Sequence, residues 1–317
     1  MNPERIKIFS GRANPELSKE ICDHLGLPLS DPRIRQFSDG EIGLQLQENV
    51  RGADVFIVQP TCTPVERNLL EVLLMIDALK RASAERITAV LPYYGYSRQD
   101  RKDKPRVPIA AKLVAKLLES AGANRVMALD LHAAQIQGFF DIPVDHLYFR
   151  PVMIEYFASL KRPKLTVVSP DAGGVERARS MAKRMKTGLA IIDKRREEAN
   201  VAEIMNVIGD VRDAHCLVVD DLIDTAGTLV GVVDALLDKG AASVTAAATH
   251  AVLSGPAVER IEKSALLELV CSNSIPLSKE AKQCSKIRTL SVAALLGRAI
   301  QSIHEETSVS VLFERLD

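Results

Sequence analysis

The 317-residue chain lacks a charge surplus of either sign, because 41 Lys and Arg balance 41 Asp and Glu. A protein that grips nucleic acid through its phosphates, whatever the sequence, needs a basic excess, so that class is excluded as a general function. The five cysteines, Cys22, Cys62, Cys216, Cys271 and Cys284, are scattered and form no C-x-x-C pair. That argues against a zinc site or a redox dithiol. Cys22 and Cys216 stand among apolar neighbours and read as small core residues, and an odd, dispersed count fits a reducing compartment. No apolar stretch approaches the ~20 residues of a spanning helix. The opening MNPERIKIFSG carries charge without the apolar segment of a secretory leader. The expectation is a cytoplasmic protein with no membrane and no nucleic-acid partner. There is also no G-x-x-x-x-G-K-[ST], which excludes a nucleotide P-loop.

What is present is an apolar fraction of 47%, enough to build a sizeable core without staples. Short β-branched runs alternate with helical patterns. Strands are predicted at 6–9, 55–59, 87–92, 125–130, 165–169, 190–193, 216–220, 244–248 and 268–271, and helices include 68–81, 109–120 and 228–239. Continuous apolar strands separated by helices indicate mainly parallel sheets covered on both faces. A weak repeat links DVFIVQ and AERITAVLPYY in the first half to HCLVVD and AASVTAAATHA in the second. Such self-similarity is what a duplicated α/β unit produces, and it places a boundary near 149–151.

After HCLVV come Asp220, Asp221 and Asp224, then Thr225-Ala226-Gly227-Thr228. This lies at the carboxyl end of a strand, where open α/β sheets bind ligands. Backbone N–H groups and two hydroxyls at a helix start suit a phosphate, and Gly227 permits close approach. The aspartates repel phosphate but suit sugar hydroxyls or a magnesium ion. The combination describes a phosphorylated sugar. An acidic N-cap at Asp224 would account for one aspartate but not three.

Other segments carry weaker signals. In PYYGYSRQDRKDK, Arg98 suits phosphate oxygens and Gln99 suits an adenine edge or a phosphate, whereas residues 101–104 read as a solvated charged loop. His132, in ALDLHAAQIQGFF, could ligate a metal or contact a phosphate, and a lone histidine is more often structural. Asp171 in VVSPDAGG fits the single-carboxylate style of magnesium binding, or a turn. DKRREEAN alone reads as a salt-bridged surface segment. FSDGEIGLQL reads as a hairpin start, and SVSVLF near the C-terminus as an edge strand.

VVDDLIDTAGTL closely resembles the ribose-5-phosphate loop of the phosphoribosyltransferase superfamily. Over essentially all 317 residues the chain resembles the ribose-phosphate pyrophosphokinase (phosphoribosyl pyrophosphate synthetase) family. The resemblance implies an α/β fold of two phosphoribosyltransferase-like domains, each a mainly parallel sheet flanked by helices, related by duplication. Residues 1–149 would carry the ATP side and oligomer contacts, and 150–317 the sugar and catalytic loops. It implies transfer of the diphosphoryl group of ATP to the anomeric hydroxyl of ribose 5-phosphate.

Residue by residue, the resemblance makes Lys194 and Arg196 transition-state stabilisers. It assigns ATP to Phe37, Asp39, Gly40, Glu41, Arg98 and Gln99, with the hairpin residues acting across a subunit interface. It assigns ribose 5-phosphate to Arg196, Asp220, Asp221, Asp224, Thr225, Ala226, Gly227 and Thr228, and Mg2+ to His132 and Asp171. An effector site at Ser308, Ser310 and Phe313, inorganic phosphate as activator, ADP as inhibitor and a homohexamer are implied as well. Ala134, His146, Phe149 and Arg150 depart from the family pattern, and the last three bear on regulation. The alternatives are a phosphoribosyltransferase, or a non-catalytic subunit associated with a synthetase. The latter should have lost DKRR or DDLIDTAGT, and both are intact here.

Overall fold

The computed structural model of the chain describes residues 5–195, 204–310 and 312. It divides into two compact units, one of residues 1–148, 274–276 and 291–315, the other of 149–273, 277–290 and 316–317.

In the first unit the strands are β1 (Ile6–Ser10), β2 (Leu29–Ser30), β3 (Ile34–Gln36), β4 (Ile42–Leu44), β5 (Asp54–Val58), β6 (Arg86–Leu91), β7 (Arg125–Leu129) and β8 (Val144–Leu147). Six of them form a sheet in the order β2-β1-β5-β6-β7-β8 with every pairing parallel. β3 and β4 make a separate antiparallel hairpin. Val55 to Val58 are fully buried, which is why the central run carries no polar alternation. Each such side chain contributes about 1.5–3 kcal/mol by leaving water. The helices are α1 (Pro15–Leu25), α2 (Val65–Arg81) and α3 (Ala110–Ala121). α1 is started by Asn14, whose side chain accepts from Leu17 N, and is stopped by Gly26 at φ 66°. α2 begins three residues before the predicted start. Its first turns bury Asn68 and Glu71, two polar side chains that interrupt the apolar period.

The second unit contains α4 (Arg150–Ser159), β9 (Leu165–Ser169), α5 (Val175–Met185), β10 (Gly188–Arg195), β11 (Ile204–Ile208), β12 (His215–Ile223), α6 (Gly227–Asp238), β13 (Ser243–Ala251), α7 (Ala257–Lys263), β14 (Leu269–Ser272), α8 (Lys279–Gln283) and β15 (Ile287–Leu290). Its sheet runs β11-β10-β9-β12-β13-β14-β15, parallel throughout except for β10 with β11. With β11 set aside, its strand order is that of the first unit's sheet, second-first-third-fourth-fifth-sixth. The weak sequence repeat thus corresponds to a repeated topology. The last helix, α9 (Ala293–His304), belongs to the first unit and packs on α1.

Three local expectations are corrected. The 190–193 strand runs on through Lys194 and Arg195, because β11 pairs with it antiparallel, Lys194 opposite Met205. The DKRR segment therefore starts on a strand rather than in a loop. β12 continues to Ile223, three residues past its expected end, because Leu222 and Ile223 pair with His250 and Ala251 of β13. Residues 308–310 form a turn rather than an edge strand: Ser308 Oγ lies 2.7 Å from Ser310 Oγ and accepts from Ser310 N.

Candidate functional site

In the second unit the strand order reverses between β9 and β12, and the two strands' carboxyl ends lie side by side there. A cavity of about 200 Å³ opens at this point. Pro170 and Asp171 after β9, Asp220 on β12, and the loop and helix start from Asp224 to Leu229 line it. Asp171, Asp220, Asp224 and Thr225–Thr228 are therefore brought together on one wall.

The helix start is built to receive an anion. Ala226 is the N-cap of α6, with φ 59°, and its own side chain offers no cap. First-turn N–H groups, with the helix dipole behind them, attract negative charge. Thr225, Gly227 and Thr228 are exposed there, while Ala226 is buried. The left-handed residue is Ala226, not Gly227. A Cβ at 227 would lie 3.4 Å from Arg260 Nη1, an ordinary contact.

Asp220 and Asp221 sit on the strand and share one cation. Arg177 of α5 reaches Asp220 Oδ1 at 3.5 Å and Asp221 Oδ1 at 3.4 Å. Asp221 is buried, and its amide donates to Asp220 Oδ1 at 2.8 Å. Burial, then the Asp221 charge, push the Asp220 carboxyl up to about 8, against the opposing pull of Arg177. Asp171 accepts the Gly174 amide at Oδ1, 2.9 Å away, and Ser169 Oγ donates to its carbonyl, which holds the turn. Among the described residues no group of three or more His, Cys, Asp and Glu converges on a metal position. One carboxylate beside an anion site fits a hard cation that also takes water and phosphate oxygens.

At the first unit's own β1/β5 switch point the polar side chains bond to one another. Arg12 donates to Glu71 from its backbone amide (2.6 Å) and from Nε (2.7 Å), and Gln59 Nε2 donates to the same carboxylate (3.2 Å). Polar candidates gather instead on the loops after β6 and β7. Tyr93 and Tyr94 are buried, and Tyr94 Oη donates to Ala111 O at 2.8 Å. They anchor the loop while Arg98 and Gln99 stay exposed. The exposed His132 follows β7, and Gln135 Nε2 donates to Asp100 Oδ2 (3.1 Å), tying the two loops together. The turn before His132 is strained and doubly held. Asp130 has φ 38° and its amide donates to Leu147 O (2.8 Å). The Leu131 amide donates to His146 Nε2 (2.9 Å), and Gln137 Nε2 lies 3.3 Å from His146 Nδ1.

Phe37, Asp39, Gly40 and Glu41 form the tip of the β3–β4 hairpin. Phe37 N donates to Glu41 O (2.8 Å), and Asp39 Oδ1 accepts from Glu41 N (3.1 Å). Phe37 is 43% exposed, with the Arg35 guanidinium 4.8 Å from its ring centre. Ser308 and Ser310 lie on the turn after α9. Arg196 and Phe313 fall outside the described residues, and Lys194 is described only as part of β10.

Sequence reasoning missed Arg177 and Arg260. Arg177 stands six residues after Asp171 in the stretch already singled out, so helical spacing from Gly174 was a usable signal for it. Arg260, in a short helix 35 residues beyond Thr225, gave none.

The chain's sequence matches a model of the N-terminal domain of ribose phosphate pyrophosphokinase over residues 6–122, and one of a phosphoribosyl synthetase-associated domain over 197–314. It is 57% identical over 309 residues to a ribose-phosphate pyrophosphokinase of Caldanaerobacter subterraneus subsp. tengcongensis, covering 97% of this chain and 98% of the relative. Identity to that of Clostridium perfringens is 55% over 314 residues, covering 98% of each. The crystal structure of phosphoribosylpyrophosphate synthetase from Mycobacterium smegmatis superposes with a TM-score of 0.90 at 41% identity, covering 95% of this chain and 99% of that one.

Proposed function

The chain belongs to the ribose-phosphate pyrophosphokinase family, and from that premise we propose how its residues divide the work. The reaction transfers the diphosphoryl group of ATP to the anomeric hydroxyl of ribose 5-phosphate, giving 5-phosphoribosyl 1-diphosphate and AMP. It is a ribose-phosphate diphosphokinase activity, serving nucleotide biosynthesis. The family's chemistry depends on a divalent metal.

In the proposed arrangement the second unit holds the sugar. Thr225–Thr228 receive the 5-phosphate through first-turn amides and hydroxyls, with Asp224 beside them. Asp220 and Asp221 accept hydrogen bonds from the ribose hydroxyls, which orients the ring. The observation that carries this is the pairing, on one cavity, of the α6 helix start with Asp220. The first unit carries the ATP side: Arg98 and Gln99 on one loop, His132 on the loop tied to it, and the exposed Phe37 with Asp39, Gly40 and Glu41 reaching the adenine of a neighbouring copy. Asp171 and His132 would hold Mg2+ with the triphosphate, where a divalent ion neutralises phosphoryl oxygens when bound. Lys194 and Arg196 stabilise charge that develops as the anomeric oxygen attacks the β-phosphorus and AMP departs. The proton of the anomeric hydroxyl is released to solvent in that step, and no covalent enzyme intermediate is required.

The proposal extends to a cytoplasmic homohexamer, inorganic phosphate as activator, and ADP as inhibitor acting with Ser308, Ser310 and Phe313. Five buried, unbridged cysteines support a reducing compartment. Among the described residues no helix is long and apolar enough to cross a membrane. The test follows AMP release from ATP and ribose 5-phosphate with magnesium, with and without inorganic phosphate, in the native chain and in Thr228→Val. The variant should weaken ribose 5-phosphate (higher KM) and leave the KM for ATP in place. An unchanged KM for the sugar phosphate would remove the loop from the proposal.

A further inference from the structure

We infer that Arg260 is a positioning residue for the sugar-phosphate loop, an inference that rests on assigning that loop to ribose 5-phosphate. Three successive carbonyls lead into the loop, and each is held. Leu253 N donates to Ile223 O, Ser254 N donates to Asp224 O, both at 3.0 Å, and Arg260 Nη1 donates to Thr225 O at 2.9 Å. The first two donors are backbone groups of the segment after β13. The third is a side chain from α7.

That third bond sets the direction of the next amide. A trans peptide is planar, with its C=O and N–H on opposite edges. Drawing the Thr225 oxygen toward α7 turns the Ala226 N–H away from Arg260. Thr225, Ala226, Gly227 and Thr228 line the cavity, whereas Arg260 does not. The guanidinium therefore acts from behind the loop, and the amide it orients faces the ligand side.

The backbone at Ala226 needs such a brace. Its φ of 59° is unfavourable for a residue with a Cβ, and such conformations persist only where the surroundings over-determine them. Arg260 also brings positive charge to a loop that contains none. Asp220, Asp221 and Asp224 surround the position proposed for a dianionic phosphate, and Arg177 already faces the first two. A cation against the loop backbone offsets repulsion that the amides alone must otherwise overcome.

The test compares Arg260→Ala and Arg260→Lys with Thr228→Val, using saturating magnesium-ATP and varied ribose 5-phosphate. Arg260→Ala should raise the KM for ribose 5-phosphate about tenfold, as loss of one charge-assisted hydrogen bond would, while kcat, the KM for ATP and the melting temperature change little. Lysine, which can still donate to Thr225 O, should recover much of the loss. If Thr228→Val raises that KM and Arg260→Ala does not, the role of Arg260 is overturned and the loop assignment stands. If neither does, both fall. A fall in melting temperature together with equal losses for both substrates would mark Arg260 as a general structural residue and overturn the inference.

Discussion

Asp220 makes the affinity for ribose 5-phosphate depend on pH in a way that can be worked out in advance. Its carboxyl is pushed up to about 8 by burial and by the Asp221 charge, so the acidic pair carries a proton at neutral pH. Sugar hydroxyls that donate to a carboxylate favour its ionised form, so productive binding must expel that proton. With a midpoint near 8, about one-tenth of the chains are ionised at pH 7 and about nine-tenths at pH 9. The kcat/KM for ribose 5-phosphate should therefore rise about tenfold across that interval and level off above it. A phosphate monoester's second ionisation, near 6, is already complete and does not contribute. The assay is initial-rate AMP formation at saturating magnesium-ATP from pH 6.5 to 9. Arg177→Ala removes the larger of the two influences that pull the carboxyl down, the other being the Asp221 amide, and should move the limb to higher pH. Asp220→Asn should abolish the limb. In the ligand-free protein a raised carboxyl contributes stability that is fully present below the ordinary carboxylate range and is lost as pH climbs through about 8. The melting temperature of the native chain should fall across that window more than that of Asp220→Asn. A flat kcat/KM profile, or a limb that survives in Asp220→Asn, would refute the reasoning.

Other expectations follow from the same geometry. His146→Leu leaves the Leu131 amide without its acceptor, at a cost of about 1–3 kcal/mol; thermal denaturation and the KM for ATP should both register it, and His146→Asn should be milder because an acceptor remains. Ala226→Val places a β-branched side chain at φ 59°, which should destabilise by about 1–3 kcal/mol and raise the KM for ribose 5-phosphate, measurable by denaturant titration and steady-state rates. Lys194→Ala should lower turnover by orders of magnitude with near-native melting, because a cation there acts mainly on the transition state. Phe37→Ala should raise the KM for ATP and leave that for ribose 5-phosphate unchanged.

The parts of this architecture that sequence reveals are those governed by local period and local chemistry. Fully buried runs such as Val55–Val58 cannot be mistaken for surface, and Thr225–Thr228 stands out because hydroxyls and a glycine are contiguous at a helix start. The parts that stay hidden depend on long-range approach. β12 outlasts its predicted end at Asp220 because β13 supplies partners as far as Ala251, so Asp221 stands on a strand as well. α2 can bury Glu71 because Arg12, far away in sequence, compensates it. α9 belongs to the first unit because its last turn is bound there: His304 Nδ1 lies 2.8 Å from Asp54 Oδ2, and Arg86 donates to Ile303 O at 2.9 Å. No period in residues 293–304 encodes that destination.

The same distinction separates the two copies of the repeated topology. Both place a strand reversal at equivalent positions, so fold alone offers two sites. In the first unit Arg12, Gln59 and Glu71 bond to one another. In the second, Arg177 faces both Asp220 and Asp221, and α6 starts at Ala226, whose side chain offers no cap. One copy ties its polar side chains into an Arg-Gln-Glu cluster, and the other lines a cavity with carboxylates and a helix start. A phosphorylated sugar, which donates through its hydroxyls and accepts through its phosphate, is complementary to the second arrangement and not to the first.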